Sequence, residues 1–272
     1  MVQRAHSELE TGVVFLDNLG DAPKVTFFGS ARIGSDHPAA VLARSCATAL
    51  AAHGWFCISG GGPGVMEATA VGAGPEFAVG IGIELAGEEV NDAIDVRNRF
   101  ADTAYFFTRK VLLTRSSTAF VALPGGIGTL DEVFEVLNLL LTGKTQPAPL
   151  VLLDVPGGTY WSTVVSFLES ELVAGGYVRS DLSDCFQLAS SVDEVLSAVT
   201  GFHQTFASCH YDGRLAHIRM RSPLTSSQRD ILTASALPID VLGELPEFDV
   251  SLPDRAYPTL RRLLTQLSQA DR

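Results

Sequence analysis

Residues 106–140 read FFTRKVLLTRSSTAFVALPGGIGTLDEVFEVLNLL, and this stretch decides the fold. The run Ala119-Phe120-Val121-Ala122-Leu123 is short and wholly apolar, the pattern of a strand covered on both faces of a parallel sheet. It stops at Pro124-Gly125-Gly126-Ile127-Gly128, where missing side chains leave backbone N–H groups accessible. Thr129 or a neighbour is expected to cap a helix whose apolar residues Val133, Phe134, Val136, Leu137 and Leu140 recur at helical spacing. Strand, glycine turn and helix N-terminus make an anion site, because unpaired N–H groups and the helix dipole converge there. Glu132 is expected in the first turn of that helix and Glu135 one turn later. A phosphate cradle beside a carboxylate points to chemistry on a phosphorylated sugar.

Outward from this centre, the same alternation repeats. Strands are expected over 24–28, 55–58, 78–83, 150–153 and 185–188. Helices are expected over 38–52, 65–72, 104–116, 160–174 and 192–206, with His53-Gly54 closing the first. Gly29-Ser30 and the turn Ser59-Gly60-Gly61-Gly62-Pro63-Gly64 fall at strand exits. The fold class is therefore α/β, a doubly wound parallel Rossmann-like sheet whose ligand sits beyond the carboxyl ends of its strands. Residues 84–100 are polar and irregular. Residues 1–22 read as an N-terminal arm with Val13 to Leu16 docking on the body, and 23–207 as the catalytic domain. Residues 208–272 form a small α+β extension, with a turn at 210–214, a strand over 215–220, then helix (226–234), strand (239–242) and helix (257–267).

The chain has 272 residues, 46% of them hydrophobic and 18% charged, which is ordinary globular composition. A net charge of −12 argues against an extended nucleic-acid surface, leaving room for a local basic pocket. The four cysteines lack CxxC spacing and the six histidines include no HExxH pair, so neither a disulfide framework nor a zinc site is expected. The polar N-terminus lacks a signal-peptide core, and no apolar run reaches the ~20 residues of a membrane span. A cytoplasmic protein without membrane partners is the expectation.

Each motif has a plainer reading. The Gly60–Gly64 turn is not a dinucleotide fingerprint, because Val65 fills the third glycine position. A turn that only packs helix on sheet needs fewer glycines than the four present, which favours close backbone approach to a ligand. Gly143-Lys144-Thr145 resembles the tail of a P-loop, but Asn138 stands where the upstream glycine belongs, so it reads as a helix stop. Arg109-Lys110 is either a solvated basic pair or a phosphate or ribose contact. Glu132, like Asp131 and Glu135, is also suited merely to favour the helix dipole, and the local pattern does not choose among the three.

Taken together, these motifs resemble one family. PGGIGTLDE (124–132) matches the PGGxGTxxE signature of the LOG phosphoribohydrolases, long labelled "lysine decarboxylase". SGGGPGVMEA (59–68) is similar to the GGGPG-x-MEA form of its larger bacterial branch, FFTRK (106–110) to its Arg-Lys pair, and Gly29-Ser30 to its first-strand exit. The likeness covers about residues 24–206. It implies cleavage of the N-glycosidic bond of a nucleoside 5′-monophosphate, a cytokinin riboside monophosphate or an ordinary purine or pyrimidine nucleotide, giving free base and ribose 5-phosphate. Arg109 and Glu132 match the catalytic pair. Ser30, Gly60, Gly61, Gly62, Gly64, Glu67, Lys110, Gly125, Gly126, Gly128 and Thr129 match the phosphate and ribose site. The resemblance further implies no metal or other cofactor, and a homodimer or larger oligomer with sites at the interface. The base pocket would come from the irregular 84–100 region and a second subunit. The arm and the tail lie outside the smallest members.

Three other readings stand beside it, one of them an interaction module that docks a partner through the tail. A nucleotide or molybdenum-cofactor carrier would bind with the same glycine turns and not turn over. A decarboxylase would need a lysine for pyridoxal phosphate, and only Lys110 lies near the site.

Overall fold

In the computed structural model, described for residues 1–85, 90–97, 99–115, 117–241 and 246–270, the chain divides into two compact units. The first comprises Met1–Val136, Val151–Ser162 and Leu188–Leu196; the second comprises Leu137–Leu150, Thr163–Gln187 and Ser197–Arg272. Parts of three expectations lie outside the described residues: 86–89 and 98 of the irregular stretch, Ser116 at a helix end, and Leu242 at a strand end.

The first unit is organised by strands β1 (Lys24–Phe28), β2 (Phe56–Ser59), β3 (Ala78–Ile81), β4 (Phe100–Ala101), β5 (Ala119–Ala122), β6 (Leu150–Leu153) and β7 (Gln187–Ala189). They form one sheet in the order β4-β3-β2-β1-β5-β6-β7. β1 pairs in parallel with β2 on one side and β5 on the other, at Val25 opposite Cys57 and Val25 opposite Ala119. Every residue of β1, β2, β3, β5 and β6 is buried, as strands covered on both faces must be. From β1 the chain winds outward to β4, then returns across to β5. The winding therefore reverses between β1 and β5, and ligands in such sheets bind outside the carboxyl ends of the strands at that reversal.

The helices follow their sequence signals with instructive departures. Within residues 1–22, α1 (Val2–Asp17) is a full helix, with Ala5, Gly12 and Leu16 buried. Glu8 and Gly12 sit on the inward stripe, so the apolar periodicity that would reveal a helix is broken. α2 (Pro38–Ala52) takes its cap from His37, whose ring accepts the N–H of Ala39. α3 (Val65–Phe77) kinks at Gly74, ahead of Pro75, so its regular part ends near the expected boundary. α4 (Phe106–Arg115) precedes β5. α5 (Ile127–Thr142) begins two residues before Thr129, which moves the expected cap to Gly126 and puts Glu132 beyond the first turn. It stops at Gly143, with φ 65°, as a helix terminator and not a phosphate loop. α6 (Tyr160–Phe167) continues as a π-helical segment, Leu168–Val173, and α7 (Val192–Thr205) follows β7.

The second unit contains an antiparallel sheet of β8 (Phe206–Asp212), β9 (Leu215–Met220), β10 (Ile239–Val241) and β11 (Glu247–Ser251), in the order β10-β11-β9-β8. β8 and β9 form a hairpin across Gly213-Arg214. β11 lies outside the expected elements, though Glu247-Phe248-Asp249-Val250 alternates with Phe248 and Val250 buried. The helices α8 (Ser226–Thr233) and α9 (Tyr257–Gln269) complete it. Phe248, Leu260 and Leu264 centre its core. Fully buried Arg261 donates from Nε to the Ala148 carbonyl (2.9 Å) and from Nη1 to that of Asp184 (2.6 Å).

Candidate active site

Three strand exits are stitched together by their backbones. After β1, the N–H of Ser30 donates to the Pro124 carbonyl at the end of β5 (3.2 Å). The carbonyl of Ser30 accepts the N–H of Val65 at the start of α3 (2.9 Å). The Gly29, Gly60–Gly64 and Gly125–Gly128 turns therefore meet at the reversal point of the sheet.

The glycines divide by what a side chain would strike. A methyl group on Gly64 would meet the Ser30 carbonyl at 2.3 Å, and its φ is 71°, so the fold itself demands glycine there. Gly60 faces Arg109, whose Nη2 would lie 2.0 Å from an added Cβ. At Gly125 the neighbours are Thr129 Oγ1 (2.1 Å) and the Ser30 N–H. Gly126 and Gly128 differ: a Cβ would meet nothing within 4 Å, and neither has a positive φ. No internal packing calls for glycine at these two exposed positions, so the backbone there is open to an outside group.

Arg109 and Lys110 lie on successive positions of α4 but do different things. The Arg109 guanidinium donates from Nε to the carbonyl of Ile81 at the end of β3 (2.9 Å) and from Nη2 to that of Gly60 (3.2 Å). It is thereby held across two strand exits in a fixed plane. The Lys110 ammonium donates to the Asp131 carbonyl (3.2 Å) and pairs with the Asp131 carboxylate (2.8 Å). The pair is thus half-buried and engaged on both residues, unlike a solvated basic pair.

Glu132 is the one acid of the three that is buried, at 8% exposure. Its Oε2 has no hydrogen-bond partner among the described residues. Burial pushes its carboxyl up from 4.5 to about 7, against the pull of Lys110 and Arg109, with Asp131 and Glu135 adding to the rise. A carboxylate with an unused acceptor and a proton affinity near neutrality is poised to take a proton or to face a developing cation. Asp131 is committed to Lys110. Thr129 is buried with its hydroxyl against Gly125, and Glu67 stands exposed on the first turn of α3.

Two residues near these loops escaped sequence reasoning. The Asn91 side-chain amide donates to the carbonyls of Gly61 (2.8 Å) and Gly62 (2.9 Å), pinning the glycine-rich turn. The Tyr160 hydroxyl donates to the Gly125 carbonyl (2.8 Å). Nothing local marks either one; each is some thirty residues or more from the turn it holds.

A family model described as "Possible lysine decarboxylase" matches residues 56–199, more than half of the chain. The chain belongs to this family. It is the LOG family that the glycine motifs resemble. Among curated proteins, the cytokinin riboside 5′-monophosphate phosphoribohydrolase LOG4 of Arabidopsis thaliana is 31% identical over 127 residues. That alignment covers 47% of this chain and 52% of the relative. LOGL9 of Oryza sativa subsp. japonica, named a probable enzyme of the same activity, is 35% identical over 127 residues, covering 44% of this chain and 51% of its own length. The chain thus spans about half the length of the curated relatives it matches. Among solved structures, the Moco carrier protein of Chlamydomonas reinhardtii is 26% identical, covering 66% of this chain and 96% of its own, with a TM-score of 0.48. No helix among the described residues is long and apolar enough to cross a membrane.

A lysine decarboxylase would use pyridoxal phosphate, and the residues do not fit it. The sequence has three lysines. Lys24 opens β1, at the end of the strand away from the glycine turns, and donates to the Gly20 and Ala22 carbonyls. Lys144 follows the end of α5. Lys110 alone stands at the site, and Asp131 holds its ammonium at 2.8 Å, leaving no amine to carry an aldehyde cofactor.

Proposed function

We propose that this protein is a nucleoside 5′-monophosphate phosphoribohydrolase, acting on a cytokinin riboside monophosphate or an ordinary purine or pyrimidine nucleotide. The observation that carries this reading is the buried Oε2 of Glu132, without a hydrogen-bond partner among the described residues, beside glycine turns stripped of side chains. The 5′-phosphate lies on the N–H groups of the Gly126–Gly128 turn at the start of α5, where helix dipole and open backbone favour an anion. With that end fixed, binding energy from a group that does not react places the one that does.

In the reaction the C1′–N bond breaks, its electron pair leaves with the base, and positive charge builds on the ribose. Ionised Glu132 faces that charge and takes a proton from the water whose oxygen joins C1′. The departing base takes a proton from solvent, Glu132 returns its proton to solvent, and the other product is ribose 5-phosphate. Arg109, locked to Ile81 and Gly60, offers its fixed positive charge to the phosphate end of the substrate without needing to reorganise. Neither step calls for a metal ion or a redox group.

The reading includes a homodimer. Phe106, Phe107 and Val111 on α4 and Ile127 and Phe134 on α5 are exposed. The Lys110–Asp131 pair ties these two helices together. Apolar side chains at that density around a site fit cover by a second copy of the chain.

The test is incubation of purified protein with AMP, GMP, CMP, UMP and isopentenyladenosine monophosphate, resolving freed bases. Release of one base by the wild type and not by Glu132→Gln is expected. Tight binding with no release of any base would replace the hydrolase with a carrier.

A further inference from the structure

We infer that the N-terminal helix α1 belongs to the working parts of the site: Glu8 is a positioning residue that fixes α4, and through it the cations of Arg109 and Lys110. For its activity readout this rests on the phosphoribohydrolase reading.

The turn that leads into α4 is held from ninety-six residues away. Beside it, the Thr103 hydroxyl donates to the Gly82 carbonyl (2.8 Å) and Asp102 Oδ1 accepts the Thr103 N–H (3.0 Å). Glu8 Oε1 accepts the N–H of Ala104 (3.1 Å), and Oε2 accepts the hydroxyl of Thr108 (2.7 Å), the residue immediately before Arg109. A carboxylate there also complements the dipole of α4.

Glu8 is itself held. Arg4 donates from Nε to Glu8 Oε1 (3.1 Å) and pairs with Glu84. Glu84 follows β3 closely and donates its N–H to Thr103 (2.8 Å), three residues beyond the Ile81 carbonyl that receives Arg109. About one turn along α1 from Glu8, Gly12 lies so close to Leu112 that an added Cβ would meet its Cδ1 at 2.4 Å. Helix α1 therefore touches α4 before and after the Arg109-Lys110 pair, and its Arg4 reaches the strand exit on which the guanidinium rests. A helix needed only for stability would use an apolar stripe, yet this one spends two of its inward positions on a carboxylate and a glycine.

The experiment compares Glu8→Ala, Glu8→Gln and Thr108→Val in the full chain. It uses two readouts: kcat and KM on the hydrolysed nucleotide, and a carboxyl ¹³C NMR titration of Glu132, assigned by its loss in Glu132→Gln. The groups that set that titration are Lys110, Arg109, Asp131 and Glu135. With α4 loosened, Arg109 and Lys110 retreat from Glu132. Glu8→Ala is then expected to lower kcat about tenfold with KM changed less than about threefold, and to move the Glu132 midpoint to higher pH. Glu8→Gln restores both. Its carbonyl accepts the Ala104 N–H and its amide donates to Thr108, whose hydroxyl proton still serves the Tyr105 carbonyl at 2.8 Å. Thr108→Val reproduces the loss in milder form, and replaces Glu8→Ala if that variant does not fold. A lower melting temperature with kcat and the Glu132 midpoint both unchanged overturns the inference. Should the wild type release no base, the hydrolase reading fails, and the midpoint alone still decides the role of Glu8.

Discussion

The ammonium of Lys110 stands 3.9 Å from Oε2 of Glu132 but 2.8 Å from Oδ2 of Asp131. The lysine is therefore spent on the exposed acid and only biases the buried one. That asymmetry explains why Glu132, with two cations nearby, still binds a proton up to about pH 7. Burial outweighs the partial attraction.

Glu132→Gln is expected to abolish base release, by at least ~100-fold in kcat, while nucleotide binding persists. The same change stabilises the fold in alkaline buffer. A carboxyl at 4.5 unfolded and about 7 folded holds its proton more tightly when folded. Stability therefore falls as pH rises between those values, and the penalty is complete above about 7. The shift corresponds to a ceiling of ~3 kcal/mol. Thermal melts at pH 5 and pH 8 check this: the variant should gain over wild type mainly at pH 8.

The ionised form of Glu132 does the chemistry, so kcat/KM rises with pH and levels off above about 7. Lys110→Met removes a charge that favours the ionised form, so its profile moves to higher pH. A pH series on both proteins reads this directly; a profile that moves to lower pH would contradict the placement of the lysine.

Gly126→Ala and Gly128→Ala separate ligand approach from folding. Neither added methyl meets an atom within 4 Å, so melting changes by less than about 0.5 kcal/mol. Affinity for the nucleotide falls about tenfold or more, because the phosphate loses its close seat on the backbone. Gly64→Ala shows the opposite pattern, a cost of ~1–3 kcal/mol in stability from its φ of 71° and the Ser30 carbonyl. Calorimetry with the nucleotide, paired with melting curves, distinguishes the two classes.

Tyr160→Phe removes the bond to the Gly125 carbonyl and nothing bulky. It is expected to cost ~1 kcal/mol of stability and to raise KM about three- to tenfold with kcat less affected. Steady-state kinetics at two pH values suffices to see it.

The central sheet was legible because its strands are buried on both faces and read as unbroken apolar runs. β5 and β6 stand where Ala119-Phe120-Val121-Ala122 and Leu150-Val151-Leu152-Leu153 place them. The glycine turns were legible as well, since four glycines in five residues exceed the needs of a turn. What stayed hidden depends on partners distant in sequence. Nothing about Glu8 announces that Ala104 and Thr108 need it. Local pattern left Asp131, Glu132 and Glu135 equivalent, and burial separated them. β4 was too short to show a period, and β11 was passed over in a polar stretch despite its alternation.

Arg261 draws together main chain from Ala148, Asp184 and its own helix α9. A gene trimmed to begin at Ser208 would encode this cation without either carbonyl that receives it. A gene trimmed to end there would leave both carbonyls without the guanidinium that satisfies them. The tail is thus woven into earlier sequence, not appended like a bead on a string, and any graft of it onto another scaffold must bring the stretches 137–150 and 163–187 along.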